Sequence, residues 1–101
     1  MVSVVIKPST MKTKKFTAIF YDENKKKIKT IHFGAKGSSD FTIHKDEKRK
    51  QRYLDRHKAR ENWNDYMTAG SLSRYILWNK KSLKSSISDY KRRFNLKTYK
   101  S

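Results

Sequence analysis

Phe33-Gly34-Ala35-Lys36-Gly37-Ser38-Ser39-Asp40-Phe41-Thr42-Ile43-His44-Lys45-Asp46 is the stretch in which this chain changes character. The residues ahead of it are patterned as strands, and those behind it as helices. Two of the three glycines fall here, giving the backbone the positive-φ freedom that a sharp turn needs. Lys36 lies between them. A phosphate cradle is one reading, because successive backbone N–H groups and a lysine can surround an anion. The motif G-x-x-x-x-G-K-[ST], however, puts four residues between its glycines and the lysine after the second, whereas only Ala35 and Lys36 separate Gly34 from Gly37. The stretch therefore reads as a joint between sheet and helix. Asp40 and Thr42 serve as local capping groups, Phe41 and Ile43 as anchors, and Lys36 remains for contact with a nucleic-acid phosphate.

Working back towards the N-terminus, Lys27-Ile28-Lys29-Thr30-Ile31-His32-Phe33 and Lys14-Lys15-Phe16-Thr17-Ala18-Ile19-Phe20-Tyr21 flank Asp22-Glu23-Asn24-Lys25. The Asp and Asn suit a turn, so the pair predicts a β-hairpin. Val2, Val4, Val5 and Ile6 predict a first strand, at the edge of the sheet, stopped by Pro8. Working forward, the residues from Lys45 to Trp63 are rich in helix formers with acids in the first turn, which predicts a helix of about 17 residues. Its apolar stripe is narrow: Tyr53, Leu54 and His57, closed by Trp63. Ser71 is placed to cap a short helix through Leu72, Tyr75, Ile76 and Trp78, broken by Asn79-Lys80-Lys81. Ser82 then caps a last helix in which Leu83, Ile87, Tyr90 and Phe94 fall on one stripe, ended by Asn95. The expected architecture is α+β: a short antiparallel sheet of an N-terminal strand plus a β-hairpin, packed with about three helices. It forms a single small domain over residues 1–96, and residues 97–101 read as a basic C-terminal tail.

Composition bounds the function. The formal charge is +17 on 101 residues, with 26 Lys and Arg against 9 Asp and Glu. Such a field repels itself and is relieved by a polyanion, so nucleic acid, with DNA favoured, is the leading partner class. The absence of cysteine excludes disulfides, thiol catalysis and cysteine-based zinc sites. No apolar run approaches the roughly 20 residues of a membrane span, and Met1 to Ile6 is too short and lacks a basic flank for a leader. A soluble intracellular protein, or one packed inside a particle, is expected.

The charge is uneven. Residues 1–43 hold nine basic and three acidic side chains (+6), residues 44–67 eight and five (+3), and residues 68–101 nine and one (+8). In the long helix Asp46, Glu47, Asp55 and Glu61 stand where they can pair with cations at i+3 or i+4. In the last third only Asp89 offsets the cations. The polyanion-facing surface is accordingly expected at Arg74, Lys80, Lys81, Lys84, Lys91, Arg92 and Arg93, with Lys36 as an outlier. Two helical patterns split at Asn79–Lys81 also outline a helix-turn-helix, although a plain helical hairpin explains them better. Trp63 and Trp78 are candidates for stacking on bases, but in a chain this poor in aliphatics both are expected in the core.

His32, His44 and His57 lack the spacing of metal ligands and are assigned structural roles. The carboxylates are interleaved with Lys and Arg, which suits ion pairs rather than proton transfer near neutrality. No nucleophile, base and orienting acid can be assembled, so no enzyme, no metal, no cofactor and no small-molecule substrate are expected.

FGAKGSSDFTIHKD (33–46), YLDRH (53–57), ENW (61–63), TAG (68–70), SRYILWNK (73–80), SLKSSI (82–87) and RRF (92–94) together carry a resemblance. As an ensemble they resemble a family of small, basic, largely uncharacterised proteins of nucleocytoplasmic large DNA viruses, including the mimivirus and phycodnavirus groups. The resemblance spans about two thirds of the chain; the first 32 residues share only its strand and hairpin character. It implies a viral origin, a location in the virion or in a virus factory of the host cytoplasm, and two roles. One is nucleic-acid binding with little sequence preference. The other is that of a minor structural protein docking on acidic viral capsid subunits.

Overall fold

The computed structural model describes residues Met1 to Lys100. Strand β1 (Ser3–Pro8) pairs antiparallel with β2 (Lys14–Tyr21), which pairs antiparallel with β3 (Lys27–Ala35). The β2–β3 turn uses the predicted chemistry: the Asp22 carboxylate accepts from the backbone N–H groups of Asn24 and Lys26, and Lys25 takes a positive φ of 62°. Along β2, Phe16, Ala18 and Phe20 join the apolar core while Thr17, Ile19 and Tyr21 alternate to the other face. On that second face His32 Nδ1 lies 2.8 Å from the Thr17 hydroxyl and 3.0 Å from that of Ser9, which gives His32 a structural role.

Four α-helices follow: α1 (Phe41–His44), α2 (Glu47–His57), α3 (Ala69–Leu72) and α4 (Leu83–Arg93). α3 runs directly into a π-helical segment, Ser73–Leu77, closed by the Trp78 N–H donating to the Ser73 carbonyl at 3.0 Å. The wider turn lets Leu72, Ile76 and Leu77 all enter the core while Trp78 packs towards α2. These side chains, with Tyr90 of α4, close over Val4, Ala18, Phe20 and Phe33 of the sheet. The domain is thus α+β, as its sequence predicts, with a core that mixes the aromatic Phe20, Phe33 and Tyr90 with aliphatic side chains. Tyr90 is fully buried and donates from its hydroxyl to the Tyr66 carbonyl at 2.6 Å; burial pushes its pKa well above the usual phenol value.

Four features differ from the sequence reading. α2 has 11 residues, because beyond His57 no apolar side chain returns to its buried stripe. The Glu61 carboxylate instead takes the Trp63 indole N–H at 3.1 Å and faces His57 Nδ1 at 3.2 Å. The short third helix is capped by Thr68, whose hydroxyl accepts from the Ser71 N–H, while Ser71 is buried and donates to the Asn62 carbonyl. Residues 97–100 do not form a free tail. Asn95 turns the chain at φ 56°, Leu96 is buried, and β4 (Lys97–Thr98) pairs parallel with β1, making a mixed sheet of order β3-β2-β1-β4. Tyr99 then stacks on Tyr21 at 3.5 Å, so that β1 is an edge strand only over its second half. Finally, Trp63 and Trp78 are half-buried rather than central.

Candidate functional site

Asp40, at the centre of the opening stretch, is 2% exposed. Its carboxylate caps α1 by accepting from the Thr42 N–H at 2.9 Å, and it accepts from the Lys15 ammonium at 2.6 Å. Gly34, at φ 79°, is the close approach in the joint: a Cβ there would lie 2.8 Å from Leu77 Cδ1. The joint sits on a cleft of about 400 Å³ lined by Lys15, Asp40, Tyr53, His57, Glu61 and Trp78 among others. Both carboxylates there are engaged, Asp40 by Lys15 and Thr42, Glu61 by His57 and Trp63. Burial pushes the Tyr53 phenol well above its usual pKa, and Glu61 adds to the effect. His44 accepts from the Asp46 N–H, and His57 stacks on Tyr53 at 4.2 Å, so both histidines take part in local packing.

The basic residues singled out by charge counting meet different fates. Lys36 is exposed in the turn after β3. Lys80 and Lys84 line one depression of about 330 Å³ with Asp89 and Arg92, and Lys81 is exposed beside them. Arg92 and Arg93 grip Asp89 from 2.8 and 3.4 Å, and Asn79 donates to the same carboxylate at 2.6 Å. Burial alone would raise the Asp89 pKa, but the hydrogen bonds from Asn79 and Arg92 and the charge of Arg93 together hold it below the usual carboxylate value. Lys91 donates to the Thr98 hydroxyl at 2.9 Å, and its partial burial lowers its pKa.

Arg74 is turned inward. Its guanidinium donates to the Trp78 carbonyl at 3.0 Å and lies over the rings of Trp63 and Tyr75, with burial lowering its pKa. Lys50 of α2 donates to the next carbonyl, Asn79, at 2.7 Å. The two cations thus cap the carbonyl end of the π-helical segment, a structural use of positive charge.

The opposite happens on α2, where the sequence predicts internal compensation. Asp46 caps the helix by accepting from the N–H groups of Lys48 and Arg49, Asp55 accepts from Gln51, and Glu61 serves His57 and Trp63. Among the described residues, Arg49, Arg52, Arg56 and Arg60 form no ion pair. The first three line a depression of about 160 Å³ together with Trp78. Charge counting missed them because it treated acids nearby in sequence as partners. The i, i+3, i+7 spacing on a helix with a narrow apolar stripe was the available signal.

The sequence profile of one family, described as a family of unknown function (DUF5754), matches residues 4–57, from β1 to the last residue of α2. No curated protein and no solved structure matches the chain.

Proposed function

The chain belongs to the DUF5754 family of unknown function, and from its own residues we propose that it is a non-catalytic protein that binds nucleic acid through the phosphates, with little dependence on base sequence. One observation carries this reading. Of 26 Lys and Arg side chains, only Lys15, Arg92 and Arg93 pair with a carboxylate among the described residues. The remaining charge repels itself and is neutralised by a polyanion, with release of that polyanion's counterions. Phosphate contacts fix position without reading sequence. The resemblance carried by residues 33–94 supports a viral setting, genome packaging or the virus factory, with DNA as the favoured nucleic acid.

Fluorescence anisotropy with two duplexes of equal length and unrelated sequence, at about 50 mM salt where electrostatic binding is strong, tests the reading. The expected result is binding with equal affinity; absence of binding to either overturns it. The second reading, a minor structural protein docked on acidic capsid subunits, draws on the outer edge of β3, which has no partner strand among the described residues. Lys27 and Lys29 on that strand are the kind of charge that discourages edge pairing, which places it second.

A further inference from the structure

α2 is built to hold three cations in one place. The Asp46 cap starts it, and the face-to-face stack of Tyr53 on Trp78, at 4.3 Å and 3° between planes, pins it to the π-helical segment. At 3.6 residues per turn, Arg49, Arg52 and Arg56 fall within an arc of about 60° and span about 10 Å of helix axis. That arc adjoins Tyr53, so the three guanidinium groups border the seam where α2 meets Trp78, and all four residues line the same depression of about 160 Å³. The three arginines are exposed and, among the described residues, without ion pairs; Asp46 caps the helix, while Asp55 and Glu61 bind other partners.

We infer that the Arg49–Arg52–Arg56 face of α2, with Trp78 as its wall, is the principal phosphate-binding site, taking the phosphates of a nucleic-acid backbone. The inference rests on the nucleic-acid-binding reading and moves its centre from the C-terminal third to α2. Guanidinium forks match phosphate oxygens two at a time, which suits a polyanion better than point charges do. A stripe of about 10 Å is long enough to face consecutive phosphates of one strand, and the flexible arginine side chains extend its reach. In the C-terminal cluster Arg92 and Arg93 are already spent on Asp89, Lys91 on Thr98, and Arg74 on Trp78.

The test is the salt dependence of duplex binding by the full chain and two triple variants. One variant is Arg49→Gln, Arg52→Gln, Arg56→Gln; the other is Lys80→Gln, Lys81→Gln, Lys84→Gln. All six residues are exposed, and an unchanged circular dichroism spectrum confirms that each variant folds. The α2 variant is expected to flatten the slope of log K against log salt by about 3, at about 0.9 per phosphate contact, and the lysine variant to change it by less than about 1. A slope left unchanged in the α2 variant, or flattened more by the lysine variant, overturns the placement while leaving nucleic-acid binding intact. No binding by the unmodified chain overturns both.

Discussion

Gly34, near the end of β3, and Gly37, in the turn that follows, stand three positions apart, and the fold asks different things of them. Both have positive φ, at 79° and 90°. A side chain in that region costs roughly 1–2 kcal/mol for most residues. At Gly37 nothing lies within 4 Å of an added Cβ, whereas at Gly34 it would meet Leu77 and the Lys15 stem. Gly37→Ala is therefore expected to lose about 1 kcal/mol, and Gly34→Ala to lose that plus a repacking cost of about 1–3 kcal/mol, as read by urea denaturation. The turn itself was legible in the sequence, as was its failure to match a nucleotide loop. That Gly34 is a contact with the helical layer was not legible, because Leu77 lies 43 residues further along the chain.

Among the elements, those with local signals were read well. β2 was bounded correctly because a turn follows it and alternation runs through it, and α4 because Ser82 caps it and Leu83, Ile87, Tyr90 and Phe94 share one stripe. α2 was overrun because helix formers continue past His57, and nothing local marks the point where Glu61 turns to His57 and Trp63. β4 was missed because two residues without an apolar pattern become a strand only when Ser3 and Val4 lie alongside. At the site the partners are local, three or four residues away, and net charge does not say which neighbour an acid takes. Counting Asp89 as one acid against nine cations hid the fact that it takes Arg92 and Arg93, and counting four acids around α2 hid the fact that its arginines keep none.

The Asp89 network also makes α4 sensitive to pH. Because the folded carboxyl titrates below its ordinary value, the stabilisation is complete above the unfolded pKa of about 3.9. It is lost as pH falls through the folded value. Asp89→Asn is expected to lose about 1.5–3 kcal/mol at pH 7, the range for hydrogen bonds to a charged group. The gap between the variant and the unmodified chain should narrow as pH falls below the unfolded value of about 3.9; denaturation at pH 7 and in acid measures it.

At the scale of the whole molecule the balance is between a small core and a large charge. Nine buried side chains from three strands, the α3 and π-helical segment, α4 and Leu96 form the main apolar cluster. They hold together a surface on which most of 26 cations stay unpaired among the described residues. Net charge of this size destabilises the compact state by self-repulsion, which a bound polyanion removes. No helix among the described residues is long and apolar enough to cross a membrane.

The most direct test of the central claim is the slope of log K against log salt for the unmodified chain on a mixed-sequence duplex, from about 50 to 200 mM. Neutralisation of at least three phosphates predicts a slope of about −3 or steeper. A slope shallower than about −1, with binding that survives the higher salt, would contradict phosphate neutralisation as the basis of its function.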